Sequence, residues 1–225
     1  MASRPVFFVK TTPPYYQEEL VSFLYNAGFS ISQKRKNIHA INEAFCTKHR
    51  NAKLLEISSK SEDVLGIKLS AFNLRINVGS INTTVEAAFQ SGKVFQNGGP
   101  YTDLLSASSY EAKKDPRIQS GGNQLAFNLN GMAFPLEPKT FFYDWLYVSA
   151  LFENRELAEE ICQYNAFTDI EFNPQKSINC QARSAAMFVS LAKLGLLKKA
   201  LLSPEQFKQT VYEDDLITDQ QISLF

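Results

Sequence analysis

Thr84-Val85-Glu86-Ala87-Ala88-Phe89-Gln90-Ser91-Gly92-Lys93-Val94-Phe95 is the stretch on which the reading of this chain turns. On a helix, Glu86, Gln90 and Lys93 stand at i, i+4 and i+7, so a carboxylate, an amide and an amine share one face. Val85, Ala88, Phe89 and Gly92 form an adjacent face suited to packing. Glycine inside a helix costs about 1 kcal/mol relative to alanine, so Gly92 implies close approach by a ligand or a neighbour. An amine and a carboxylate on one rigid element, beside an apolar face, suit the first layer of a polar-ligand site. A second reading of the run is structural. Thr83-Thr84-Val85-Glu86 fits a capping box, with Thr83 as N-cap and Glu86 reaching back to its backbone N–H. Lys93 is then a solvated charge near the helix end, where it suits the macrodipole.

Composition narrows the surroundings of that run. The chain has 225 residues, 44% hydrophobic and 20% charged, enough to bury a core without disulfide or metal staples. Its 18 Phe and 9 Tyr residues are first of all core material. Lys and Arg number 23, as do Asp and Glu, so the formal net charge is zero. A protein that grips nucleic acid mainly through phosphates is basic, so contact with nucleic acid is expected at a pocket rather than over a broad surface. Cys46, Cys162 and Cys180 share no short spacing and read as reduced thiols of a cytoplasmic protein. His39 and His49, ten residues apart on the expected helix, stand roughly 80° and nearly three turns from each other, so neither a zinc site nor a histidine triad is expected. No apolar run approaches the roughly 18 residues of a membrane span, and no signal-peptide core precedes the first strand.

The pattern along the chain predicts an α+β, helix-rich single domain with a small β-sheet. Phe7-Phe8-Val9 reads as a strand broken by Pro13-Pro14, and residues 20–25 are ambiguous between strand and helix. Residues 32–50 read as a helix with Ile38, Ile41 and Phe45 inward and Lys34-Arg35-Lys36 on a solvated face. Strands are expected over 54–57, 69–78 and 81–83, the last two joined at Gly79-Ser80. Gln96-Asn97-Gly98-Gly99-Pro100-Tyr101-Thr102-Asp103 reads as a loop whose Gly98-Gly99 pair lets the backbone approach a ligand. Residues 109–115 form a short helix stopped by Pro116, and 124–129 with 132–135 a hairpin about Asn130-Gly131. Helices follow over 140–152, 156–164 and 180–197, and Ser203-Pro204-Glu205-Gln206 starts another. The tail from Glu213 is acidic and expected to fray. Residues 1–53 are expected as an N-terminal extension packed on a core of 54–202, with 203–225 a C-terminal helix and tail.

Several blocks together resemble the NADAR family, whose name refers to NAD and ADP-ribose. Leu69-Ser70-Ala71-Phe72 is similar to its Leu-Ser-Asn-Phe element, and residues 84–95 to its Ser-Glu-His-Tyr-Phe-Gln-Ala-x-Lys-Phe helix start. Glu111-Ala112-Lys113-Lys114-Asp115-Pro116-Arg117 resembles its Glu-Ala-Lys-Arg-x-Gly-Arg segment. Phe167-Thr168-Asp169 stands where many members have Trp-Gly-Asp, and Gln181-Ala182-Arg183-Ser184-Ala185-Ala186-Met187 where they have Asn-x-Leu-Gly-x-x-Leu-Met. Asn97-Gly98-Gly99-Pro100-Tyr101-Thr102-Asp103-Leu104, Tyr143-Asp144-Trp145-Leu146-Tyr147 and Ser177-Ile178-Asn179-Cys180-Gln181 resemble the branch paired with guanine-specific DarT toxins. Ala71, Phe167 and Thr168 depart from the family residues Asn, Trp and Gly.

The resemblance implies a NADAR-like fold and an antitoxin glycohydrolase that removes ADP-ribose from guanine in DNA. Its partners are then guanine-ADP-ribosylated DNA, ADP-ribose as product and a cognate DarT-type toxin. No cofactor, metal or membrane is implied. Glu86 and Lys93 are the catalytic candidates. Glu86 would stabilise an oxocarbenium-like centre or activate water, and Lys93 would act as acid or attack C1″ to give a Schiff base. Lys113 and Arg117, at i and i+4 if the helix runs past Pro116, are the pyrophosphate candidates. Phe72, Gln90, Gly98, Gly99, Tyr101, Asp103, Asp169, Gln181 and Arg183 complete the ligand-binding set. Two other readings stay open: an N-glycosidase acting on a free ribosylamino-pyrimidine, and a non-catalytic antitoxin that sequesters its toxin.

Overall fold

The computed structural model describes residues 1–212, and the acidic tail from Glu213 lies outside the described residues. Strand β1 (Ala2–Val9) pairs antiparallel with β2 (Tyr16–Phe23), so residues 20–23 are strand. On its other edge β1 pairs antiparallel with β9 (Ala166–Thr168), which runs parallel to β3 (Leu54–Glu56). The sheet order is β2-β1-β9-β3, so the first strand of the chain is an interior strand of this sheet. Helix α1 (Ile31–Lys48) covers one face with Ile38, Ile41 and Phe45, against Val6, Val21 and Phe23. That is the apolar stripe its helical spacing predicts.

The other face carries the main core. Helix α8 (Gln181–Lys193) is buried from Ala182 to Leu191 and packs on α6 (Phe141–Glu153) and on the sheet. Small residues (Ala182, Ser184, Ala185 and Ala186) let these elements approach closely. Hairpin β4 (Arg75–Val78) and β5 (Ile81–Thr84) turns at Gly79, whose φ of +59° suits glycine. A third sheet has the order β6-β7-β8, from β6 (Lys93–Phe95), β7 (Gln124–Leu129) and β8 (Met132–Phe134). Asn130 and Gly131 both take positive φ between β7 and β8, as a two-residue type I′ hairpin requires. Phe89, Phe127 and Phe142 stack where this sheet meets α6, with ring centroids 4.5–5.9 Å apart. The architecture is α+β, one domain with small sheets, as the sequence pattern predicts.

The segment 64–74 is not the strand that the sequence reading begins at Leu69. Residues 64–68 form helix α2 (Val64–Lys68), and residues 69–74 form no strand. The backbone of 69–74 is consumed by helices instead. Tyr147 Oη donates to Leu69 O at 2.7 Å, and Glu86 N donates to Ala71 O at 2.9 Å. With those groups taken, no strand partner is needed, and Leu69, Ala71 and Leu74 bury their side chains in the core. Helix α7 (Arg155–Ile161) follows α6, and helical residues 204–212 close the described chain, with Ser203 Oγ accepting from Gln206 N at 3.1 Å as its sequence predicts.

Candidate active site

Strand β5 runs without a break into helix α3 (Val85–Ser91). The N-cap is Thr84, whose hydroxyl accepts from Ala87 N at 3.2 Å. The capping-box reading around Thr83 is therefore off by one residue. Glu86 falls at the second helical position rather than the third, and its carboxylate does not reach back to the cap. Glu86 Oε1 instead accepts from Gln90 Nε2 at 2.9 Å, the i, i+4 pair, and lies 3.7 Å from Lys113 Nζ. Glu86 and Gln90 are only 6% and 5% exposed, yet both line a cavity of about 820 Å³. A volume of that size suits a nucleotide-sized ligand.

The helix stops earlier than its spacing suggests. Gly92 is the C-cap, and Lys93 is the first residue of β6, so Lys93 is not on the helix with Glu86. A Cβ on Gly92 would lie 3.0 Å from Phe142 Cζ and 3.3 Å from Asn128 O, so close packing against α6 and β7 accounts for the glycine. The turn still delivers Lys93 to the same cavity. Its Nζ lies 4.9 Å from the Phe89 ring centroid. Desolvation pushes the ammonium down from an ordinary 10.5 to about 8, against the pull of the Glu86 charge, with Lys113 adding a smaller push downward.

Helix α4 (Ser109–Lys114) brings Lys113. A capping box of Ser108 and Glu111 starts it, with Ser108 N donating to Glu111 Oε2 at 2.9 Å. Ser109 Oγ bonds Thr84 Oγ1 at 2.7 Å and Phe72 O at 2.9 Å, which ties α4 to the start of α3. Lys113 then sits 5.0 Å from the Phe72 ring centroid and faces Glu86.

Asp169 and Gln181 line the same cavity. Gln181 accepts from Ala71 N and donates to Ile57 O, each at 2.7 Å, and so pins residues 69–72 to the sheet. Asp169 accepts from Glu171 N at 2.9 Å. Burial lifts its carboxyl to about 7, although hydrogen bonds from Glu171 N and Gln181 oppose the rise. Behind it Glu56 accepts from Ile170 N at 2.9 Å, and burial, then the Asp169 charge, raises Glu56 well above the usual carboxylate range.

Of the sequence-derived candidates, Glu86, Lys93, Phe72, Gln90, Lys113, Asp169 and Gln181 line this cavity. Gly98, Gly99, Tyr101, Asp103, Arg117 and Arg183 do not. The Gly98-Gly99 loop packs behind β6: a Cβ on Gly99, at φ +92°, would lie 2.2 Å from Lys93 O. Tyr101 N donates to Ser91 O at 2.8 Å. Arg117 does not continue the Lys113 helix. Asp115 caps a new helix α5 (Pro116–Ser120), and Arg117 is held by Asp103 at 2.6 Å and Asp115 at 2.9 Å, over the Tyr101 ring. Arg183 pairs with Asp144, 3.2 Å away and fully buried, which also accepts from Ser184 and from Tyr212. Arg183 Nη1 donates to Ile178 O at 2.9 Å, so it braces a cavity wall from behind. Phe167 and Thr168 are buried in β9, where Thr168 Oγ1 donates to Pro5 O. Trp145 packs on Phe134 at 4.9 Å and lies outside the cavity. Among the described residues no group of three His, Cys, Asp or Glu side chains is placed to hold a metal, and no helix is long and apolar enough to cross a membrane.

The cleft thus sets a carboxylate, a desolvated amine and a second cation around one apolar-walled opening of an α+β domain, an arrangement suited to acid–base or nucleophilic work on a polar ligand. Residues 2–221 match the family model described as DarT1-associated NADAR antitoxin, and the chain belongs to that family. No curated protein matches the chain.

Proposed function

We propose that this antitoxin is a glycohydrolase that removes ADP-ribose from guanine bases in DNA, and so reverses the modification made by a DarT-type toxin. The observation that carries the reading is that Lys93 and Glu86 line one cavity. The Lys93 amine is brought to about 8 there. Near pH 7.4 about a fifth of such an amine is neutral, against about one in a thousand for an ordinary lysine. A glycosidic carbon with oxocarbenium character is the electrophile such an amine suits, and Glu86 supplies the negative charge to stabilise it. Lys113, beside Glu86 at 3.7 Å, is placed to meet the anionic part of the ligand. Neither Lys93 nor Glu86 would be needed for a protein that only sequesters its toxin.

Two chemical roles fit Lys93. As a nucleophile its neutral amine attacks C1″ and the C1″–guanine bond breaks, the guanine leaving with the proton that the amine gives up. The ribose ring then opens to a Schiff base on Lys93, which water hydrolyses to release the sugar. As an acid its ammonium protonates the departing guanine while water, activated by Glu86, attacks C1″. The test is incubation of the purified protein with a guanine-ADP-ribosylated oligonucleotide, with chromatography of released ADP-ribose and mass analysis of the restored strand. Loss of release in Lys93→Ala, and a borohydride-trapped adduct at Lys93 in the wild type, support the nucleophilic role. No release by the wild type refutes the reading.

A further inference from the structure

Helix α4 divides its side chains between two tasks. Lys113 turns inward to Glu86. Tyr110 and Lys114, one turn apart, turn outward at the mouth of the same cavity. Tyr110 is 61% exposed, an unusual position for a large ring. Lys114 Nζ donates to Tyr110 Oη at 2.8 Å and lies 4.6 Å from its ring centroid. The ring is thereby steadied and polarised without being covered. Lys60 and Lys139 line the same cavity from two other segments. Beside Glu86 and Asp169, the acidic lining residues among the described ones are Glu137 and Glu171, and Glu171 is already ion-paired with Lys34. Of the five lysines that line the cavity, Lys93 and Lys113 belong to the site around Glu86, and Lys60, Lys114 and Lys139 are left over, with Lys114 on an exposed aromatic ring.

An exposed ring flanked by ammonium groups is the chemistry of a single-strand binder: bases stack on the ring and phosphates meet the lysines. Breaking one bond at Glu86 and Lys93 needs none of this. We propose that Tyr110, with Lys60, Lys114 and Lys139, forms a lip that holds a DNA single strand by the nucleotide next to the modified guanosine. That neighbour stacks on Tyr110 while the modified nucleotide enters the cavity. The inference rests on the glycohydrolase reading and adds to it that the strand, not the modified base alone, is recognised.

The experiment compares two substrates, a guanine-ADP-ribosylated single-stranded oligonucleotide and the matching ADP-ribosylated guanosine. Tyr110→Ala should lower kcat/KM for the oligonucleotide by about 10- to 100-fold, within the range that base–aromatic stacking supplies, and leave the guanosine compound within about twofold. Lys114→Ala/Lys139→Ala should act in the same direction and weaken the salt dependence of oligonucleotide turnover. Equal losses on both substrates would mean that the mouth binds ADP-ribose alone, and no loss on either would mean that the lip is idle. Each result overturns the proposal. A separate arm measures anisotropy of an unmodified labelled single strand at low salt. Binding that Tyr110→Ala abolishes supports the lip even if the wild type cleaves neither substrate, and that second failure would count against the glycohydrolase reading alone. Unchanged anisotropy in the variant refutes the lip.

Discussion

Lys93→Met is expected to inactivate the protein and to stabilise it. Burial brings the Lys93 ammonium from 10.5 to about 8, net of the opposing Glu86 charge. At about 1.4 kcal/mol for each tenfold change in proton affinity, the folded state holds that proton about 3 kcal/mol less readily than the unfolded chain. The sign follows from proton counts. Between pH 8 and 10.5 the unfolded chain binds more protons at this site, so stability rises with pH across that window, and below pH 8 the full cost is present. Methionine keeps the volume and removes the charge. The substitution forgoes the contact between Nζ and the Phe89 ring at 4.9 Å, about 0.5–1 kcal/mol. Some of the remaining cost is already relieved by hydration at the cavity mouth. A net gain of about 1–2 kcal/mol at pH 7 is expected, or about 2–8 °C in Tm for a chain of this size. The assay is calorimetric or fluorimetric melting at pH 7 and at pH 9.5, where the wild-type lysine has shed most of its proton and the gap should narrow. A variant less stable than wild type at pH 7, or a gap that does not change with pH, would refute the claim that Lys93 is a desolvated cation.

Three further outcomes follow from the same geometry. Glu86→Gln should keep its melting temperature within about 2 °C, because Thr84 and not Glu86 caps the helix, and lose at least about 100-fold in turnover, read by product chromatography. Lys113→Ala should weaken ADP-ribose binding about tenfold in calorimetry, whereas Arg117→Ala, whose guanidinium is already taken by Asp103 and Asp115, should stay within about twofold. Arg183→Met strands the fully buried Asp144 and should cost about 3–5 kcal/mol, seen in denaturant melts, while Ile178 loses its brace.

Local pattern carried a good part of this structure. The Ile38, Ile41, Phe45 stripe, the Asn130-Gly131 turn and the Glu86–Gln90 pair are short-range features, and each forms as its spacing suggests. The end of the α3 helix was hidden because Lys93-Val94-Phe95 extends a plausible helical pattern, while the packing of Phe142 on Gly92 that stops it comes from residues about fifty positions away. The break between Lys113 and Arg117 did carry a signal: Asp115-Pro116 is an N-cap followed by Pro at the first helical position, which starts a new helix. Likewise Ser108 with Glu111 is a readable capping box, and it places the α4 face that carries Lys113. No local signal pairs Glu56 with Asp169 or Arg183 with Asp144, since strand pairing and helix packing alone bring them together. The proposed substrate rests on family resemblance, because spacing supplies a carboxylate and an amine but not what they act upon.

The cavity treats Asp169 as it treats Lys93, with the opposite consequence for pH. Both groups are pushed toward their neutral forms by burial, Lys93 to about 8 and Asp169 to about 7. A carboxyl raised in this way is protonated in both states at low pH. Between an ordinary aspartate value near 4 and about 7, only the unfolded chain releases the proton, so stability falls as pH rises through that window and the cost is complete above it. Asp169→Asn removes the ionisable group while its amide oxygen can still accept from Glu171 N, as Asp169 does at 2.9 Å. The variant should therefore be more stable than wild type at pH 8, with the difference closing by pH 4.5. Ligand affinity gives the second readout: if the neutral acid donates to the ligand, wild-type ADP-ribose binding weakens from pH 6 to pH 8 and the variant's does not. Parallel affinity profiles for the two proteins would leave Asp169 a wall residue, and a stability gap that widened toward acid would contradict its raised pKa.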